Sequence, residues 1–69
     1  MALVDPKWVV WLNFVRDAYG DIHDIVPRRN ATGILERFMQ DPHNEAKLRG
    51  LFNSATSHQE AARQIGAPK

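Results

Sequence analysis

The dipeptide Asp-Pro occurs twice in this chain, at Asp5-Pro6 and Asp41-Pro42, and an apolar pattern of helical period follows each. Both residues suit a helix start. The aspartate carboxylate can accept from the free backbone amides of the first turn, and proline there lacks only an N–H that would have no partner. These two signals predict a first helix from Asp5-Pro6, with Gly20 as its stop, and a third from Asp41-Pro42. A second helix lies between Pro27 and Gln40, starting at Pro27 or at Asn30, with Gly33 weakening its beginning and Ile34, Leu35 and Phe38 at helical spacing. The third carries Leu48, Leu51, Phe52 and Ala55, and Glu45 precedes Arg49 by four residues in the favourable order. A fourth opens at Thr56-Ser57 with two overlapping capping boxes, Thr56 with Gln59 and Ser57 with Glu60, and stops at Gly66. No strand pattern competes, because the β-prone residues fall inside the first helix. The expectation is an all-α fold, one domain over residues 1–69, built as a compact bundle of about four short helices. The segment Gly20 to Val26 carries Ile22, Ile25 and Val26, expected to pin it to the core.

A domain of this length buries only about 60% of the surface its unfolded chain exposes, so its stability is small. The sequence has no cysteine, which removes disulfides and thiolate metal sites together. Association with another copy is the remaining common source of stability for so small a domain. The missing cysteines fit a reducing compartment. The N-terminus has no basic signal-peptide region, and the run Trp8 to Leu12 is far shorter than the ~20 residues of a membrane span. The chain is read as cytoplasmic, with no membrane contact.

The first helix carries more apolar surface than one neighbour can cover. At about 100° per residue, Trp8, Leu12, Val15 and Tyr19 share one face, Val10, Phe14 and Ala18 an adjoining one, and Trp11 sits between them. That arc spans roughly half the circumference, wider than the ~100° stripe of a surface helix. Two readings follow. Either the helix is central, with others on two sides, or the face of Val10, Trp11, Phe14 and Ala18 is a protein interface, for self-association or for another partner.

Charge is distributed unevenly about a net of +1. Residues 1–26 set Lys7 and Arg16 against four aspartates, whereas residues 27–69 set seven basic side chains against four acidic ones. Arg28, Arg29, Arg63 and Lys69 are the candidate phosphate contacts, but no aromatic residue lies beside them to stack on bases.

The segment Ser57 to Pro68 resembles the first half of a helix-turn-helix motif, with Ala62 small in mid-helix and Gly66 four positions later at the turn. The resemblance implies close approach of a second helix over Ala62, a left-handed turn at Gly66 and an inward Ile65. In that family a recognition helix follows the glycine and reads the major groove. Here Ala67, Pro68 and Lys69 follow, which departs from the family.

Catalytic and metal chemistry find little support. His23, His43 and His58 form no ligand spacing with one another, and Asp21, His23 and Asp24 are the only local cluster. Neither a nucleophile elbow nor a glycine-rich phosphate loop is present. The expectation is therefore not an enzyme, and one without a cofactor. It is a small protein-binding regulator, an adaptor or inhibitor, expected to form a homodimer. In size and style it resembles regulators encoded by phages and mobile elements that sequester a transcription factor or an assembly ATPase. The alternative is a DNA-binding helix-turn-helix regulator or a fragment of one.

Overall fold

A computed structural model describes residues 5–66. Its elements, in order, are α1 (Pro6–His23), α2 (Arg28–Met39), α3 (Pro42–Asn53) and α4 (His58–Ile65), with no strand among the described residues. The radius of gyration is 11.5 Å, close to the ~11 Å expected of a globular chain this long. The predicted all-α bundle is what forms.

Both Asp-Pro starts are seen. Asp5 accepts from the Lys7 amide and Asp41 from the His43 amide, each at 2.9 Å. For α4 the choice falls on Ser57, whose Oγ accepts from the Glu60 amide at 3.2 Å. Glu60 turns its own carboxylate to Arg63 and Gln64, both at 3.1 Å. Pro27 precedes α2 without a side-chain cap, and the Asn30 amide donates to the Pro27 carbonyl at 2.9 Å. Asn44 Nδ2 donates to the Phe38 carbonyl at 3.0 Å, which ties the start of α3 to the end of α2.

Three expectations about the connections are corrected. Gly20 does not stop the first helix, which continues to His23 and ends at Asp24 in the left-handed region, φ 53°. The amides of Asp24 and Ile25 both donate to the Gly20 carbonyl, the latter at 2.9 Å, so the carbonyls at the helix end are satisfied beyond the glycine. An added Cβ on Gly20 would meet the Ile25 carbonyl oxygen at 3.6 Å and the Ala31 Cβ at 3.8 Å, both ordinary contacts; Gly20 is an interior residue of α1 and not its stop. Ile22 and Val26 do not pin the following segment: they are exposed, and only Ile25 packs against the core. Ala55 lies past the end of α3 at φ 56°, with the Thr56 amide donating to the Leu51 carbonyl at 3.0 Å.

The core is Trp8, Trp11, Val15 and Tyr19 of α1, Ala31 and Leu35 of α2, Leu48 of α3, and Ala61 and Ala62 of α4. Four of the six bulky ones, Trp8, Trp11, Val15 and Tyr19, come from one helix because α1 is central. It packs against α4 and against α2, while α3 packs on α2 and sends Phe52 back onto the α1 tryptophans. Ala61 and Ala62 are fully buried and let α4 lie close to α1, since small side chains allow near approach of two helices. The smallness of Ala62, one of the two features that carried the helix-turn-helix resemblance, is thus used by the packing of α4 on α1. No described helix is long and apolar enough to cross a membrane.

Candidate functional site: an aromatic groove along the first helix

Trp8 and Trp11, one helical turn apart, stack with ring centroids 5.6 Å apart and planes at 16°. Phe52 meets both edge-on, at 5.4 and 5.5 Å, the arrangement that sets a ring edge against a neighbouring ring face. The Arg49 guanidinium lies 4.5 Å over Trp8 while paired to Glu45 at 3.3 Å. Trp11 Nε1 donates to the Thr56 carbonyl at 3.3 Å, so the indole N–H is satisfied at the α3–α4 connection. His58, at the first position of α4, stacks on Phe14 at 5.0 Å and lies 6.4 Å from Trp11.

Trp11, Phe52 and His58 of this cluster, with Pro6, Lys7, Val10 and Phe14, line an open groove of about 390 Å³, with Trp11 and Phe52 as its more buried floor. Val10 and Phe14 are each 51% exposed on its outer side. The expected interface is thereby split. Val10 and Phe14 lie outermost, as expected, but Trp11 is 7% exposed and Ala18 is half-buried against the core. Trp11 lies about 60° from Trp8, within reach of the core, whereas Phe14 and Val10 lie about 120° and 160° away. Among the described residues α1 is central, and Val9, Val10, Phe14 and Ile22 of this helix remain exposed.

Two of the candidate phosphate contacts already face carboxylates. Arg28 pairs with Asp17 at 3.4 Å and Arg63 with Glu60 at 3.1 Å. Arg29 makes no ion pair among the described residues and borders a cleft of about 320 Å³ with Gly33 and Arg37. Lys69 lies outside the described residues. Arg28 and Arg29 ride on α2 and Arg63 on α4, so the candidate phosphate contacts belong to separate elements.

The histidines serve different surroundings. His23 lies beneath the Tyr19 ring at 4.6 Å, with its Nε2 enclosed and unpartnered, while Asp21 and Asp24 are exposed. Among the described residues no three or more His, Cys, Asp or Glu side chains are grouped as metal ligands would be. Burial raises the Tyr19 phenol above its ordinary pKa. A second groove of about 390 Å³ runs between α1, α2 and α3 over Leu12, Leu35 and Met39, with Arg16, Glu36 and Glu45 on its rim.

Phe52 and His58 complete the groove, and the sequence reading assigned neither to a site. Phe52 reads as an ordinary apolar position of α3, and nothing local marks His58, which meets Phe14 across a separation no periodicity reports. Comparison with family models, curated proteins and solved structures finds no match to this chain.

Proposed function

We propose that this protein is a small polypeptide-binding module of the adaptor or inhibitor kind, and that the surface through which it docks on a polypeptide is the aromatic groove along α1. The observation that carries the reading is the pair Val10 and Phe14, each 51% exposed beside a cluster whose other large rings are buried or half-buried. Single exposed apolar residues are ordinary on any surface. Here Val10 and Phe14 lie side by side over an aromatic floor, and aromatic side chains are enriched among the anchors of interaction surfaces.

A photo-cross-linking amino acid at Val10 tests it, with the same group at exposed Lys47 as the control. In extract from the cells of origin, treated with nuclease, Val10 should yield a polypeptide adduct that Lys47 does not. Absence of any Val10-specific adduct would refute the reading. The alternative is nucleic-acid binding, and it has the weaker basis, because two of its candidate contacts already face carboxylates. Its signature would be tight, sequence-selective DNA binding at physiological salt. The expectation here is weak binding that falls steeply with salt.

A further inference from the structure

The exposed side of α1 carries a pattern that is complementary to itself. Lys7, Val10, Phe14, Asp17 and Asp21 follow one another at intervals of three, four, three and four residues, the spacing of a helix–helix seam. Along this line the order is a cation, two apolar side chains and two carboxylates. Lys7, Val10, Phe14 and Asp21 are exposed and Asp17 is half-buried. Lys7 and Asp21 make no ion pair among the described residues. Asp17 takes both Arg16 and Arg28 on Oδ1, at 3.2 and 3.4 Å, which leaves Oδ2 to accept from a further cation.

We propose that the groove's occupant is a second copy of this chain, with the two α1 helices docked antiparallel about a two-fold axis. This rests on the docking reading above and names its partner. In the antiparallel register that keeps the seam layered, Val10 of each copy meets Phe14 of the other. Lys7 of each copy then meets Asp17 of the other, so both ends of the contact close with opposite charges. A parallel arrangement in the same register sets Lys7 on Lys7 and Asp17 and Asp21 each on its own copy, which repels at every charged layer. The two-fold arrangement also needs only one kind of patch on each molecule.

The test uses charge reversal, because its outcome depends on register and orientation. Lys7→Glu alone turns both end pairs into repulsions, and so does Asp17→Lys alone. Each should weaken the dimer about three- to tenfold in sedimentation equilibrium. In an equimolar mixture, the heterodimer regains two attractive pairs, and association should return to near the original strength. Lys7 is exposed, so Lys7→Glu retains its fold. Should Asp17→Lys lose helicity, the salt response of Lys7→Glu replaces the mixture. Added salt should then weaken the original dimer and strengthen the variant.

A mixture no tighter than its components, or a Lys7→Glu dimer that salt does not strengthen, would overturn the register. A chain that stays monomeric at several hundred micromolar would overturn the second copy as occupant. In that case the Val10 cross-link separates the two proposals. An adduct with a different polypeptide leaves the docking reading standing without self-association, and no adduct at all removes both.

Discussion

Trp11 and Phe14 stand one turn apart on α1, and replacing each by alanine should have effects of different kinds. Trp11 is 7% exposed, packed between Trp8 and Phe52, and bonded through Nε1 to the Thr56 carbonyl. Truncating such a side chain costs about 3–5 kcal/mol in lost burial and residual cavity. The lost hydrogen bond adds about 1 kcal/mol. A domain of this length has a total stability of only about 3–10 kcal/mol. Trp11→Ala should therefore leave much of the population unfolded at room temperature. Phe14 is 51% exposed, so truncation forfeits about half the burial of a phenylalanine, ~1 kcal/mol, plus about 0.5–1 kcal/mol for its stack on His58. Urea titration followed by far-ultraviolet circular dichroism, at concentrations where the chain is monomeric, separates the two by about 3 kcal/mol. Trp11→Phe, which keeps a ring but removes the donor, should fall between them. If Trp11→Ala costs less than about 2 kcal/mol while Phe14→Ala unfolds the chain, the division of α1 into a core side and a docking side is wrong.

Three further outcomes follow from named contacts. Ser57→Ala should lower stability by about 1 kcal/mol in urea titration while Thr56→Ala changes it little, because Ser57 Oγ holds the Glu60 amide. Gly20→Ala should raise stability by about 0.5–1 kcal/mol, since Gly20 is inside α1 and an added Cβ meets only ordinary contacts at 3.6 and 3.8 Å; a loss of stability would instead point to a left-handed stop there. Desolvation raises the folded-state pKa of Tyr19, so its contribution is complete below the unfolded value of about 10 and is lost as pH rises through the folded value. The urea midpoint should thus hold up to about pH 9 and fall as the pH rises past about 10, and Tyr19→Phe should reduce that fall. An equal fall in both proteins would assign the alkaline loss to other groups.

What the sequence determined by itself is local. A carboxylate before a proline caps the turn that follows it, and a serine three residues before a glutamate can do the same. These are contacts within one turn, so the starts of α1, α3 and α4 could be read from Asp5, Asp41 and the Thr56-Ser57 pair. The helical period likewise placed Trp8, Val15 and Tyr19 on one face of α1, and all three are buried. Ends and faces needed the tertiary structure. Gly20 carries a stop signal locally, yet the helix runs on to His23, and the amides of Asp24 and Ile25 close its end on the Gly20 carbonyl. A wheel also cannot say how far round a helix its neighbours reach. Phe52 from α3 and His58 from α4 come up against Trp11 and Phe14, and this contact decides that Trp11 is floor and Phe14 is rim. The groove exists only because the end of α3 and the start of α4, both distant in sequence from α1, come up along one edge of it, and spacing along a chain carries no information about that meeting.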